Sequence, residues 1–161
     1  MLIEMSIKGL TVDPVTNMPI VILRDEQDRR ILPIWVGVFE ANAIALQIEN
    51  VHTPRPMTHD LLRNVIHDLQ ASVDRVVVAD VKDNTFFAYI HLDTPAGKVA
   101  VDARPSDAIA LALRTRSPIW VEEHVIDNAK TLDASTTRVD GQRLHQWLDS
   151  LDPDDLGKYK M

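Results

Sequence analysis

The stretch DARPSDAIALALR, residues 102–114, constrains the chain more than any other. From Ala108 to Leu113 it reads Ala-Ile-Ala-Leu-Ala-Leu, strong helix formers with no polar face. A helix that is apolar all round is packed inside a domain rather than laid on its surface. The rest of the chain must therefore wrap it. Pro105 suits the first turn, where its missing N–H would have no partner anyway. Asp107 falls in the same turn, where a carboxylate meets free N–H groups and the positive end of the helix dipole. Arg114 and Arg116 lie near the other end with the complementary sign. A capped, buried helix accounts for Asp107 in full. It accounts less well for Asp102, at the end of a strand, and Arg104, at the strand-to-helix turn, since anion and metal sites form beside helix N-termini. Both readings stay open.

The elements available to wrap that helix are strands in two groups. Residues 2–12 alternate with period two, as a half-buried strand does. IVILRD (20–25) and ILPIWV (31–36) follow across short turns, predicting an antiparallel meander. SVDRVVVADVKD (72–83), TFFAYIHLD (85–93) and KVAVDA (98–103) form a second set joined by hairpin-length links. Between the sets lie two helices. The first covers 38–51, opened by Gly37. The second covers 59–72, with Thr58 as its cap and Leu61, Leu62, Val65, Ile66 and Leu69 on one face. Asp60, Asn64, His67 and Asp68 fall on the opposite face. PIWVEE (118–123) reads as a brief strand, and 122–130 as a short helix. Because strands come in meanders rather than in strict alternation with helices, the fold class is α/β of the α+β-like kind. We expect a mixed, mainly antiparallel sheet packed with helices in a single compact domain over 1–130. Residues 131–161 read as a loop, a C-terminal helix and a flexible tail.

A chain of 161 residues, 45% of them hydrophobic, can bury a substantial core without staples. It holds no cysteine, which excludes disulfides, thiolate metal sites and cysteine nucleophiles and fits a reducing cytoplasm. The N-terminus alternates and carries Glu4, unlike a signal peptide. No run approaches the ~18 apolar residues of a membrane span. The expectation is a cytoplasmic protein without a membrane partner. Acids outnumber bases 24 to 17, for a net charge of -7, which disfavours coating DNA at large but leaves room for one locally basic or metal-bridged site.

Negative evidence narrows the chemistry. There is no glycine-rich phosphate loop, no G-x-S-x-G elbow and no H-E-x-x-H pair. The remaining stock of carboxylates, histidines and arginines suits hydrolysis assisted by a hard divalent ion on Asp and Glu oxygens. Glu40 shares a helical side with Ile44, Gln47 and Ile48, so it either caps the helix opened by Gly37 or serves a site. His59 belongs either to a capping turn or to a site. His67 reads as part of a solvated face.

Several long stretches, LPIWVGVFEANAIAL (32–46), PRPMTHDLL (54–62), VAVDARPSDAIALALR (99–114), PIWVEE (118–123) and WLDSLDPDDLGKYKM (147–161), resemble the bifunctional nuclease (BFN) domain proteins of bacteria and plants. Met57 stands where the family has Leu, and Leu156 where Phe is common; both are apolar exchanges. The resemblance implies a compact mixed-sheet domain that forms homo-oligomers and a nuclease acting on RNA and DNA. Within the matching stretches, Glu40, Asp102 and Asp107 are the expected metal ligands (Mg²⁺ or Mn²⁺) or general base. His59 is the expected acid or supporting partner, and Arg104 with Ser106 the substrate contacts. Asp60 also lies in these stretches. The competing reading is a non-catalytic oligomeric binding or regulatory module. A nuclease should show Arg104, with Arg55, Arg63 or Arg114, bordering a concave carboxylate cluster; a binding module should bury them in ion pairs at a subunit contact.

Overall fold

Burying a helix on every side takes a sheet beneath it and helices above, and the computed structural model, which describes residues 1–129, has that arrangement. The strands are β1 (Leu2–Val12), β2 (Pro19–Asp25), β3 (Ile31–Trp35), β4 (Ser72–Lys82), β5 (Thr85–Thr94), β6 (Gly97–Ala103) and β7 (Ile119–Glu122). They form one seven-stranded sheet in the order β3-β2-β1-β7-β4-β5-β6. Each meander is antiparallel within itself, and β7 sits between them, antiparallel to β1 and parallel to β4. The sheet is therefore mixed and mainly antiparallel, in a single α+β domain. The C-terminal helix and tail expected over 131–161 lie outside the described residues.

Local chemistry places the turns. Asp83 and Asn84 both have positive φ, the two-residue primed turn that matches strand twist, so β4 and β5 close tightly. Asp13 accepts a hydrogen bond from Trp35 Nε1 at 2.9 Å, tying the β1–β2 turn to the end of β3.

Four helices complete the domain: α1 (Val38–Ile48), α2 (Thr58–Asp68), α3 (Pro105–Thr115) and α4 (Glu123–Asn128). The crossover β6–α3–β7 carries the chain from the sheet edge to its centre, and α3 packs on β4 and β5 with α1 and α2 against it. Ala108, Ile109, Ala110, Leu111 and Ala112 are all buried, joined in the core by Val76, Val78, Ile119 and Val121 from the sheet and Ile44 and Ala45 from α1. Helix α3 ends at Arg116, whose left-handed φ of 54° closes the last turn ahead of Pro118.

Two expectations change. Met57, not Thr58, precedes α2 as its cap residue, and the Asp60 carboxylate accepts the Met57 N–H at 3.0 Å. More consequentially, α2 is turned about its axis. Leu61, Leu62, Val65 and Leu69 are exposed, while His59 is buried and Asp60 points inward. The cause is Arg114. Its side chain is only 2% exposed, and it donates to Asp60 Oδ1 at 2.7 Å, to the Ala110 carbonyl at 2.8 Å and to the Ala43 carbonyl at 3.0 Å. A guanidinium buried this deeply needs a carboxylate, and α2 supplies one by facing Asp60 inward.

Removing that carboxylate leaves a buried cation unpaired, so Asp60→Ala is expected to cost about 3–5 kcal/mol in urea unfolding. Combining Asp60→Leu with Arg114→Met should recover most of the loss. Burial pushes the Asp60 carboxyl up, but the Met57 N–H and Arg114 outweigh it and hold it below the usual 3.8. A depressed folded value contributes stability that is present above the unfolded pKa and lost as pH falls through the folded one. Unfolding midpoints followed downward through the carboxylate range should therefore fall less steeply in Asp60→Asn than in the parent chain.

Candidate active site

The turn between β6 and α3 brings three functional side chains to one place. Arg104 is the last residue before α3, Asp107 lies in the helix's first turn, and His59 comes to meet them from the first turn of α2. His59 Nε2 lies 2.9 Å from Asp107 Oδ1, with the imidazole 10% exposed. Arg104 Nη1 donates to Glu40 Oε1 at 2.7 Å, with its own side chain 62% exposed. Glu40 stands in the first turn of α1, whose N-cap is Gly37. The position is crowded: a Cβ on residue 37 would collide with the Glu40 carboxylate. The Glu40 carboxyl sits below its usual 4.5. Its own backbone N–H is the main cause, burial works against it, and Arg104 adds to the lowering.

Glu40, His59 and Asp107 line a cleft of about 340 Å³ together with Phe39, Asn42, Ala43, Leu46, Met57 and Thr58, and Arg104 is joined to it through Glu40. Two of its features escaped the sequence reading. Phe39 is 87% exposed, an aromatic ring standing in solvent at the cleft. Asn42 Oδ1 is buried without a hydrogen-bond partner among the described residues. No spacing rule marks either; only the fold shows that α1 presents both to the cleft. A neighbouring hollow of about 270 Å³ is lined by Gln47, His52, Arg55 and Arg63 beside the Asp60–Arg114 pair. A larger concavity, about 680 Å³, lies apart between β1 and the β2–β3 turn and mixes charges of both signs without a convergent set.

The sequence candidates separate accordingly. Glu40, His59, Arg104 and Asp107 meet. Asp102 does not line the cleft: on β6 it pairs with Tyr89, on the sheet face opposite the core residue Ile90 and its partner Val101. Ser106 is buried at the start of α3 and does not reach the cleft wall. Asp107 gives its carboxylate to His59, and no side chain caps α3 by hydrogen bonding. His67 is solvated, as expected, with its ring 87% exposed. Of the four bases expected to border the cleft, Arg104 is bonded to the cleft's Glu40 without lining the cleft itself, Arg55 and Arg63 line the adjoining hollow, and Arg114 is buried within the chain.

For a hard cation, the donors in the cleft are Glu40, Asp107 and the unpartnered Asn42 oxygen, all of the oxygen type that Mg²⁺ accepts alongside substrate phosphates. Among the described residues no three His, Asp or Glu side chains converge as a metal cluster, so Glu40, Asp102 and Asp107 do not form one site. Each cleft carboxylate is matched by a cationic or ionisable partner. Gly37→Ala is expected to cost no more than about 1 kcal/mol of stability while displacing the Glu40 carboxylate from its N–H and from Arg104. A carbon-detected NMR titration should then place the Glu40 pKa higher, toward the ordinary 4.5.

With this geometry in place, comparison with known proteins is informative. The model of the bifunctional nuclease domain matches residues 21–133, which include every cleft residue. An uncharacterized protein of Mycobacterium tuberculosis is 40% identical over 162 residues, covering 95% of this chain and 97% of the relative. Bifunctional nuclease 2 of Arabidopsis thaliana is 29% identical over 133 residues, covering 76% of this chain but 40% of the plant protein. Bifunctional nuclease 1 of Oryza sativa subsp. indica is 22% identical over 119 residues, covering 72% and 36% respectively. The chain belongs to the bifunctional nuclease domain family.

Proposed function

We propose that this chain is a nuclease that hydrolyses phosphodiester bonds in RNA and DNA at the cleft between α1, α2 and the start of α3. The observation that carries the reading is the convergence there of a carboxylate-held histidine, His59–Asp107, and an exposed arginine, Arg104, beside a projecting aromatic ring. Phe39 offers a stacking platform for an unpaired base, which suits nucleic acid and tolerates sequence. Arg104, held by Glu40 in the resting cleft, is the bidentate group that a phosphate would engage. Arg55 and Arg63 in the adjoining hollow extend the cationic track for the neighbouring backbone.

Asp107 accepts from Nε2–H of His59 and leaves Nδ1 unprotonated to take a proton, the division of labour that an oriented general base requires. The attacking water gives a proton to His59 as its oxygen bonds to phosphorus. The bond from phosphorus to the departing sugar oxygen breaks, and that oxygen takes up a proton from solvent water. Glu40 and Asp107, with Asn42 on the same cleft wall, are the residues that would hold Mg²⁺ or Mn²⁺, which would supply charge neutralisation at the phosphate. The overall charge of -7 sets the whole surface against a polyanion, so affinity must come from this local arrangement and rise as salt falls.

A cleavage time course on labelled single-stranded RNA and double-stranded DNA, with Mg²⁺ or Mn²⁺ against a chelator, tests the reading. His59→Gln is expected to lower the rate by ~10²–10⁴-fold with folding intact. Phe39→Ala is expected to weaken single-strand binding by the ~1–3 kcal/mol of one stacked base, without loss of stability, because the ring is exposed. Equal cleavage by the parent chain and by His59→Gln would overturn the assignment and favour the non-catalytic binding module.

A further inference from the structure

Every open sheet has two edges, and the two edges here are treated differently. At one edge, β3 is five residues long and carries Pro33, a residue that blocks further pairing. At the other, β6 pairs with β5 without a register shift over its full length and holds no proline. On the core side of the sheet its Val99 and Val101 are 46% and 41% exposed, although they pair with Leu92 and Ile90 of β5. Hydrophobic side chains that stand in line with a buried row, and are uncovered only because the sheet stops, mark an unfinished layer. The exposed leucine and valine stripe of α2 adds a second uncovered apolar face to the helical layer.

The sequence of β6 indicates what completes it. Residues 98–102 read Lys-Val-Ala-Val-Asp. Centred on Ala100, this segment is complementary to itself in the antiparallel sense. Lys98 falls opposite Asp102 of a second copy, Val99 opposite Val101, and Ala100 opposite its own equivalent. Lys98 and Asp102 share one face, Val99 and Val101 the other, so charge meets charge and the apolar row continues into the neighbour. Lys98 is 85% exposed and, among the described residues, pairs only with Asp93 at 3.8 Å.

We propose that two copies of this chain associate edge to edge through β6 about a two-fold axis at Ala100, with Lys98 of each copy paired to Asp102 of the other. The role of Asp102 is then in assembly, which accords with its place outside the cleft. The inference does not rest on nuclease activity and is tested by association alone.

Sedimentation equilibrium of the parent chain should give a concentration-dependent dimer. Asp102→Lys and Lys98→Asp each place like charges opposite one another twice in the interface, and each is expected to raise the dimer Kd by about tenfold or more. An equimolar mixture of the two variants faces all-acidic against all-basic positions and should restore the dimer, as should the double exchange within one chain. The chain lacks cysteine, so oxidation of Ala100→Cys should give a disulfide-linked dimer, because equivalent residues opposite each other on antiparallel strands lie within ~4.5–5.5 Å. A parent chain that stays monomeric would overturn the proposal. So would single charge reversals that leave the Kd unchanged, a mixture that fails to reassociate, or association without cross-linking through position 100, which would place another occupant on this edge.

Discussion

The Arg114 guanidinium governs more of this fold than any apolar contact. Helix α3 is surrounded by protein along its whole length, so the one long polar side chain near its C-terminal end has no route to water. It must be satisfied inside, and it is satisfied by three different elements: a carbonyl of its own helix, a carbonyl of α1 and the Asp60 carboxylate of α2. The carboxylate choice fixes the rotation of α2. With Asp60 turned inward, the preceding residue, His59, is carried toward the start of α3, where it meets Asp107. The same rotation turns Leu61, Val65 and Leu69 outward. One ion pair thus sets both the reactive face of α2 and its uncovered face.

The cleft's electrostatics follow from pairing as well. A carboxylate cluster open to water would repel a polyanion, and the chain is already acidic. In this cleft Arg104 offsets the Glu40 charge, and Asp107 has the His59 ring as its hydrogen-bond partner. Arg104 is the exposed partner of its pair, where Glu40 is largely covered. On the proposed function, a phosphate approaching from solvent would compete with Glu40 for a guanidinium that does not need to be desolvated further. The positions of the two pairs come from different sources. Glu40 is placed by a helix start opened at Gly37 and Arg104 by the strand-to-helix turn, which makes the site a meeting of element ends, where backbone direction is best defined.

What the sequence disclosed follows from how far along the chain each interaction acts. Alternation and turn residues located every strand, since they act within a few positions, and the unbroken apolar run of 108–113 announced α3. Local patterns could not show that β7 inserts between the two meanders, because that depends on the crossover through α3. They also misdirected α2. Periodicity correctly grouped Leu61, Val65 and Leu69 on one face, but the assumption that an apolar face belongs to the chain's own core fails when a buried Arg114, 54 residues away, demands the opposite face. Glu40 and Arg104 were each marked by local position, at a helix start and at a strand-to-helix turn, but no local pattern could show that they meet across 64 residues. The position of Asp102 was legible in principle. It alternates with Val101 and Ala103, whose partners Ile90 and Ala88 belong to the core, so strand geometry alone puts it on the sheet's far face.

The unfinished edge and the cleft are linked by the chain itself, since Arg104 follows β6 directly. In the proposed pairing the axis passes through Ala100, four residues before Arg104, so the two arginines lie eight strand positions apart, roughly 27 Å at the rise of an antiparallel strand. A two-fold axis perpendicular to the sheet keeps both helical layers on the same side. Both clefts then open on one surface of the dimer, at a separation comparable to about eight phosphates along one strand. Two weakly attracting sites on a net-acidic chain gain from such linkage, because the second engages its segment at high effective concentration once the first is held. The edge that leaves β6 exposed in one chain is therefore placed to offset, in two, the charge that works against binding a polyanion.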